Sequence, residues 1–282
     1  MFSIVIPTFN NYKYLKLCLE SVNKNSSYKH EIIIHSNDGS DGTNEFLKKN
    51  KIKYSFSEKN VGLCTSINKA VKLSTTNYIL YSHDDMYFCP DWDKVLLNEI
   101  KKIKHEKFYL GGTMIQPSGA HVSLDCGNSI ETFNETKLLE NYQNHNFFNH
   151  QGTHFAPHLV TKNMWNKVGG FSEEFNPGIA SDPDFNMKLW KEGVRIFKGL
   201  NDFKVYHFGS QTTRKNLVIK KNRGDLTFIK KWGISVKFFK KYYLKTNSKY
   251  ESELTDPIKN IYYYKDLIIN KIYYFIIKIL NK

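Results

Sequence analysis

Three short clusters of acidic and histidine residues have side chains that can hold a metal ion and accept a proton. They are His83-Asp84-Asp85, Ser181-Asp182-Pro183-Asp184 and Tyr206-His207-Phe208. Carboxylate oxygens are hard ligands for Mg²⁺ or Mn²⁺ on a diphosphate, and imidazole suits such a site as a minority ligand. A carboxylate that holds no metal can act as a general base. Together the clusters predict a metal–diphosphate site with a separate base.

Each cluster taken alone also has a structural interpretation. Asp84-Asp85 could form a turn or the N-cap of a helix, where Asp is favoured. Asp182 and Asp184 could cap a helix that begins near Pro183, since proline suits a first helical position. A single histidine after an apolar strand, such as His207, is more often structural than a metal ligand. The prediction therefore depends on the clusters occurring together and in this order.

The elements that would position these clusters alternate between strand and helix through the first half of the chain. The predicted strands are Ser3–Ile6, Glu31–His35, Ile52–Phe56 and Tyr78–Tyr81, and the predicted helices are Tyr12–Asn23, Thr43–Lys49 and Leu63–Leu73. This alternation indicates βαβ units and a mostly parallel sheet. Ligands bind beyond the carboxyl ends of such strands. Pro7–Asn10, Asn37–Ser40 and His83–Asp85 all follow strand ends, so we expect them to converge.

The second half is less regular. Between Gly111 and Gly170 we expect sheet extensions and loops around an acceptor-binding surface. A helix over Phe185–Glu192 should begin just after the acids at 182 and 184, and a strand over Phe203–Tyr206 should lead into the last cluster. Beyond about Ser210 the chain becomes rich in lysine and aromatic residues without strand alternation, which indicates a helical extension.

The motifs in this order resemble the inverting glycosyltransferases of family 2. The resemblance covers roughly Phe2 to Thr213 and implies the α/β fold called GT-A, which is Rossmann-like with a mostly parallel central sheet flanked by helices. It divides the chain into a catalytic domain, residues 1–213, and a basic, aromatic-rich C-terminal helical extension, residues 214–282. Asn37-Asp38-Gly39-Ser40 is similar to the family's Asp-Asp-Gly-Ser segment, and Val168-Gly169-Gly170-Phe171 is similar to the stretch before its catalytic acid.

The resemblance implies a role for each matching residue. Asp182 takes the place of the catalytic base, and Asp85 and His207 take the places of the metal ligands for Mn²⁺ or Mg²⁺. The nucleotide-binding positions that the resemblance implies are Pro7, Thr8, Asn10, Asp38, Asn60, Gly62, His83 and Asp84.

Three residues depart from the family pattern. Asn37 stands where the family has an acid, so uracil recognition would rest on Asp38. His83 replaces the first acid of the metal motif, and Ser181 replaces the Glu before the base. None of these changes removes the expected base or metal ligands, so the resemblance still implies an active enzyme.

The implied function is metal-dependent, inverting transfer of a hexosyl or N-acetylhexosaminyl group. The donor would be a nucleotide-diphosphate sugar, with UDP expected, and the acceptor a hydroxyl of a glycan or lipid-linked glycan in surface polysaccharide or lipo-oligosaccharide synthesis. One alternative is a non-catalytic sugar-nucleotide binder. A sugar-1-phosphate nucleotidyltransferase is disfavoured because no Gly-rich phosphate loop with Arg and Lys follows Ile6. The sequence leaves the sugar, the linkage and the oligomeric state open.

Cysteine usage and the N-terminus favour a cytoplasmic location. Cys18, Cys64, Cys89 and Cys126 are widely spaced and include no CxxC pair, which is typical of reduced thiols. The first residues lack the basic start and long apolar run of a signal peptide.

The net charge of +14 is concentrated near the C-terminus. Residues 201–282 carry 18 Lys and Arg against 6 Asp and Glu, a balance of +12. A basic nucleic-acid-binding protein is therefore an alternative function, since interleaved Tyr and Phe could stack on bases. We expect no nucleic-acid partner, because the tail has few arginines, no recognised binding motif and an apolar stripe that nucleic acid would leave exposed.

That stripe lies in Ile261–Leu280, where isoleucines fall on one helical face. The segment is too short and too interrupted by lysines to span a bilayer. A helix of this kind can lie in the membrane interface, with attraction to anionic lipid from the pairs Lys220-Lys221, Lys230-Lys231 and Lys240-Lys241. It could equally pack on the catalytic domain or on a second subunit. The sequence leaves peripheral attachment to the inner membrane face and protein packing as equal alternatives.

Overall fold

The computed structural model describes residues 1–119, 121–145, 147–209 and 223–280. Its first half alternates strand and helix as the sequence predicts. The strands are β1 (Ser3–Phe9), β2 (Glu31–Asn37), β3 (Lys53–Ser57) and β4 (Tyr78–Tyr81), and the helices are α1 (Tyr12–Asn25), α2 (Thr43–Lys49) and α3 (Leu63–Val71). The four strands pair in parallel in the order β3-β2-β1-β4. This parallel half brings the strand ends that carry the first motifs to one edge.

The second half extends the same sheet with mixed strand directions. Its elements are β5 (Met86–Phe88), α4 (Trp92–Lys102), β6 (Phe108–Gln116), β7 (Val122–Ser123), α5 (Glu135–Asn141), β8 (His150–Gln151), β9 (His158–Thr161), α6 (Lys162–Val168), a 3-10 helix (Glu173–Phe175), α7 (Ser181–Lys191) and β10 (Ile196–His207). The strand order is β3-β2-β1-β4-β9-β6-β10-β5, with β7 on β6 and β8 on β10. β9 is antiparallel to both β4 and β6, so the sheet is a mixed α/β sheet with flanking helices.

α7 begins earlier than the sequence indicates. The predicted helix starts at Phe185, after the acidic cluster, whereas the observed helix starts at Ser181 and takes the cluster into its first turn. The residue at its N-cap is Ala180, in the left-handed region at φ 64°, and no side chain caps the helix. The capping interpretation of Asp182 and Asp184 is therefore wrong.

The C-terminal extension is helical, as predicted. It contains α8 (Gly224–Trp232), α9 (Val236–Phe239), a π-helix (Lys240–Leu244) and α10 (Ile261–Leu280). Phe228, Phe239 and Tyr263 of this extension belong to the same buried cluster as the core of the sheet. The predicted boundary at residue 213 and the pair Lys220-Lys221 lie outside the described residues.

A buried carboxylate anchors the extension to α7. Asp184 is fully buried and accepts hydrogen bonds from Ser172 Oγ at 2.6 Å and Trp232 Nε1 at 2.8 Å. Lys231 Nζ lies 2.9 Å from the same carboxylate. A buried charge is tolerated only when it is paired and hydrogen-bonded. The anchor therefore fixes α8 against the helix that carries Asp182.

We expect Asp184→Ala to lower the free energy of unfolding by roughly 3 kcal/mol, the usual range for removing one partner of a buried pair. Urea unfolding followed by circular dichroism measures this loss. The control is Glu20→Ala, which breaks an exposed pair with Lys16 on α1 and should leave the urea midpoint almost unchanged. Equal effects of the two substitutions would mean that the anchor contributes little.

Candidate active site

The carboxyl ends of β1 and β4 are joined by a buried hydrogen bond. Thr8 Oγ1 donates to Asp84 Oδ2 at 2.7 Å. Burial raises the pKa of the Asp84 carboxyl, and the neighbouring charge of Asp85 adds to this effect. Val5 O accepts from the Ser82 N–H, so the backbone of Pro7, two residues on, faces the β4 side beyond the last register pair there, and its missing N–H removes no ladder bond. The bond between Thr8 and Asp84 therefore fixes the segment that carries the first acidic cluster.

A second carboxylate lies at the end of β2. Asn10 Nδ2 donates to Asp38 Oδ2 at 2.9 Å, and this hydrogen bond lowers the pKa of the partly exposed Asp38. Both residues adopt positive φ, 45° for Asn10 and 61° for Asp38, a conformation that Asn and Asp tolerate better than most residues. The two turns thus present an ionised carboxylate near the ends of β1 and β2.

Asn37, the first departure from the family pattern, has a structural role. Its buried side chain donates to Thr8 O at 3.1 Å and to Ser66 Oγ at 3.0 Å. Its Oδ1 accepts from the Val61 backbone N–H at 3.0 Å. An ionised aspartate accepts hydrogen bonds only and could not make the first contact. The amide therefore ties β1, β2 and α3 together beneath the site.

Asn60 and Gly62 form the turn that leads into α3. Asn60 Oδ1 accepts from the Gly62 N–H at 2.9 Å. Gly62 has φ 83°, and a Cβ there would lie 2.4 Å from the Asn176 amide, so only glycine fits this turn. The expected contact of Asn60 and Gly62 with a nucleotide stays a prediction.

A His–Asp–His cluster lies where β4 and β10 end. One ligand atom from each of His83, Asp85 and His207 falls within 4.8 Å of the other two. His207 Nε2 is 3.2 Å from Asp85 Oδ1. The parallel register of β10 with β6 and the antiparallel pairing of β10 with β5 bring His207 back to this edge. Residues 124 positions apart in sequence therefore share one small volume.

The cluster suits a divalent transition metal. Nε2 of His207 is buried, and although Asp85 Oδ1 is 3.2 Å away, this nitrogen makes no hydrogen bond of good geometry within the described residues. Nδ1 of the same ring is 2.6 Å from the side-chain amide nitrogen of Gln116 at the end of β6. With this amide flipped, its oxygen would accept from Nδ1–H and leave the Nε2 lone pair for a metal. Burial lowers the pKa of His83 to about 4, so this imidazole is neutral, as a ligand must be.

Asp182 occupies the first turn of α7, away from the hydrogen bonds that hold Asp184. Its Oδ1 is shielded from solvent and has no hydrogen-bond partner among the described residues. Burial raises the pKa of Asp182 to about 7, because desolvation disfavours the charged carboxylate. A carboxyl with a pKa near neutrality can gain and lose a proton under physiological conditions.

Tyr81, the last residue of β4, joins the two parts of the site. It is fully buried, and after burial itself the negative charges of Asp182, Asp84 and Asp85 all raise its pKa. The base candidate and the acidic cluster are therefore both within electrostatic reach of one phenol group. The sequence did not single out Tyr81, because a tyrosine in an apolar strand has the pattern of an ordinary core residue.

The structure brings the first and third predicted clusters into contact through Asp85 and His207. It places Asp182 of the second cluster within electrostatic reach of Tyr81, which the acids of the first cluster also influence. It also groups His83 with Asp85 and His207, whereas the resemblance implied a nucleotide contact for His83. Histidine is a common metal ligand, so its residue type was the available signal. Gln116 lies in the irregular middle of the chain, where the sequence offered no signal for it.

The class of protein follows from comparing this fold with solved structures. The structure of S. aureus TarS residues 1–349 matches with a TM-score of 0.56 at 18% identity, covering 80% of this chain and 68% of that one. The fold is thus that of the GT-A glycosyltransferases. The sequence model described as "Glycosyl transferase family 2" matches residues 3–157, and the chain belongs to this family. α7 and the end of β10 lie outside the matched segment.

Two curated relatives are glycan-building enzymes. Chondroitin synthase of Escherichia coli is 27% identical over 228 residues, which cover 78% of this chain and 31% of that protein. A dolichyl N-acetyl-α-D-glucosaminyl phosphate 3-β-D-2,3-diacetamido-2,3-dideoxy-β-D-glucuronosyltransferase of Methanococcus voltae is 25% identical over 229 residues, which cover 75% and 68% of the two chains. The chain spans less than a third of the E. coli synthase. It is a member of glycosyltransferase family 2 with sequence similarity to glycan synthases.

The raised pKa of Asp182 has a consequence for stability. The folded state holds this proton up to about pH 7, whereas an unfolded Asp loses it near pH 4. The contribution of Asp182 to stability is therefore greatest below pH 4, and it falls as the pH rises from 4 to 7. We expect Asp182→Asn to be more stable than the wild type at pH 8, by at least about 1 kcal/mol, and equally stable at pH 4.

Urea unfolding at both pH values, in EDTA, measures this difference. Asp91→Asn is the control, because Asp91 pairs with Lys94 at the surface and should give no pH-dependent gain. A wild type that is as stable as Asp182→Asn at pH 8 would contradict the raised pKa.

Proposed function

We propose that the protein is a metal-dependent, inverting glycosyltransferase. It moves a hexosyl or N-acetylhexosaminyl group from a nucleotide-diphosphate sugar, with UDP the favoured nucleotide, to a hydroxyl of a glycan or lipid-linked glycan. The observation that carries the proposal is the His83–Asp85–His207 cluster, with a further carboxylate, Asp182, within electrostatic reach of the neighbouring Tyr81. The pKa of Asp182 is about 7.

His83, Asp85 and His207 would hold the metal ion. Two imidazole nitrogens beside one carboxylate favour Mn²⁺ over Mg²⁺, which prefers oxygen ligands. A bound divalent cation would neutralise negative charge on the departing nucleoside diphosphate. Gln116 would hold the His207 ring in the orientation that directs Nε2 at the ion.

Asp182 would act as the general base. Its carboxylate takes the proton from the acceptor hydroxyl while that oxygen forms a bond to the anomeric carbon. The bond from this carbon to the diphosphate oxygen breaks, and its electron pair leaves with the diphosphate. One in-line displacement inverts the anomeric configuration. A pKa of about 7 leaves a substantial fraction of the base ionised at neutral pH while keeping it basic enough to take the proton.

The end of β2 would recognise the nucleotide. The ionised Asp38, held by Asn10, is an acceptor for the N3–H of uracil. Structures of TarS in complex with UDP and with UDP-GlcNAc share this fold, at TM-scores of 0.55 and 0.54. The relatives' names support a saccharide acceptor, since one is a chondroitin synthase and another acts on a dolichyl-linked phosphate sugar. Surface polysaccharide or lipo-oligosaccharide synthesis is the setting we propose.

We expect Asp182→Asn to reduce UDP release from a UDP-sugar by at least about 100-fold, the lower range for loss of a general base. UDP affinity measured by calorimetry with Mn²⁺ should change by less than about threefold, since the amide keeps the shape of the carboxylate. A screen of UDP-sugars for slow hydrolysis in Mn²⁺ identifies the donor for this assay.

Glu174→Gln is the matched control, because Glu174 is a half-exposed acid paired with Lys231 near α7. It should retain wild-type turnover. Loss of UDP affinity in Asp182→Asn would instead place Asp182 in donor binding. Unchanged turnover would remove it from the proposed mechanism.

We expect His83→Ala and His207→Ala each to weaken Mn²⁺ binding by at least about tenfold. Calorimetric titration of Mn²⁺ into the protein with UDP present measures the affinity directly. His105→Ala is the control, since His105 lies at the surface near Glu253. Wild-type Mn²⁺ affinity in His207→Ala would exclude that residue as a ligand.

A further inference from the structure

One face of α10 is apolar and exposed to solvent. Ile261 is 78% exposed and Ile279 is 70% exposed. We call this the outer face; its other exposed apolar members are Tyr262, Tyr264, Ile268, Ile269, Ile272, Tyr273, Phe275 and Ile276. The predicted stripe of isoleucines is thus real, but it does not pack on the catalytic domain.

The inner face of α10 makes the contacts with the rest of the extension. Tyr263 is buried against Phe238, and Asn270 Oδ1 accepts from the Ser235 N–H at 2.7 Å. Asp266, the one acidic residue of the helix, pairs with Lys241 at 2.8 Å. α10 is therefore held in place by its inner face, and the outer face is left uncovered by the described residues.

The width of the outer face indicates whether a second copy of the helix or a lipid layer covers it. At 100° per residue, its apolar side chains from Tyr264 round to Tyr273 occupy about half of the helix circumference. A partner helix from a second copy covers only the narrower seam of a coiled coil. A lipid layer covers all the side chains on the buried half of a helix that lies in its plane. The breadth of the face favours a lipid layer.

The charges around this face favour an anionic surface. Three exposed lysines accompany this face on α10. At 100° per residue Lys265 lies within the face, between Ile272 and Ile276, and Lys271 and Lys278 lie at its edge. A long lysine side chain in the face can extend its charge towards lipid phosphate groups, and no exposed acidic side chain accompanies the three on the helix.

An open cavity of about 670 Å³ lies beside Tyr273 and is lined by Lys237, Lys240 and Lys241 together with one acid, Asp225. A cavity of this composition suits phosphate groups, because lysine binds phosphate as a point charge. Lys241 pairs with Asp266, so the contacts with phosphate fall to Lys237 and Lys240.

We infer that α10 lies in the interface of a membrane that contains anionic phospholipid. Its outer face enters the acyl boundary, and the lysine-lined cavity takes lipid phosphate groups. No helix in the described part of the chain is long and apolar enough to cross a bilayer, so the inferred contact is with one leaflet. Because α8 contacts both α10 and the anchor at Asp184, the active site keeps a fixed position relative to that leaflet.

Vesicle flotation with the full chain tests this inference. The probes are vesicles of phosphatidylcholine alone and of phosphatidylcholine with phosphatidylglycerol. We expect the wild type to float with the anionic vesicles and to float far less with the neutral ones. The triple variant Ile268→Gln, Ile272→Gln, Ile276→Gln keeps the charge and should lower the partition coefficient at least tenfold. Lys237→Gln with Lys240→Gln should lower it on anionic vesicles at low salt.

Lys48→Gln with Lys49→Gln on α2 is the charge-matched control and should float like the wild type. Thermal unfolding and circular dichroism check that each variant is folded, and UDP affinity, which does not depend on the membrane, reports separately on the proposed function. Equal flotation of the wild type and the folded triple variant would overturn the inference. A wild type that does not float would also overturn it. If that wild type sediments as a dimer and the triple variant sediments as a monomer, the outer face joins two copies.

Discussion

The burial of carboxylates around Tyr81 is the constraint on which the site depends. Desolvation raises the pKa of Asp84 and of Asp182, so the folded protein carries a standing preference for a proton or a cation in this volume. Different carboxylates suit the cation and the proton. Asp85 is grouped with two imidazoles, whereas Asp182 is desolvated and has an oxygen without a partner among the described residues. One edge of the sheet can thus hold an ion and a titrating base together.

Hydrogen bonds between the elements around the site hold the segments that carry the buried acids in place. Many of these hydrogen bonds come from neutral side-chain amides. Asn37 joins β1, β2 and α3, and Asn68 of α3 exchanges hydrogen bonds with both backbone groups of Phe171. Phe171 in turn stacks on Phe185 of α7 at 4.8 Å. Side-chain amides both donate and accept, so they join strand ends and loops without adding negative charge beside buried acids.

The sequence predicted the parallel half of the fold well, because strand and helix periods there are clean and the pairings are local. α2 was predicted at its observed bounds, and the helical extension was predicted as such. The antiparallel β9 was not, because its place between β4 and β6 arises from pairings far apart in sequence. For the same reason Gln116 and the grouping of His83 with His207 could not be predicted. The start of α7 was missed because Asp and Pro in a first turn resemble residues before a helix.

The anchor at Asp184 also bears on how the protein can be divided. A fragment that stops before α8 would lack both Trp232 Nε1 and Lys231, and would leave the buried Asp184 carboxyl of α7 without these two partners. It would also open the aromatic core where Phe228 sits. A crystallisation fragment trimmed to the strand-and-helix portion is therefore the wrong design. Shortening the chain from its C-terminal end as far as the start of α10, while retaining α8 and α9, keeps both supports.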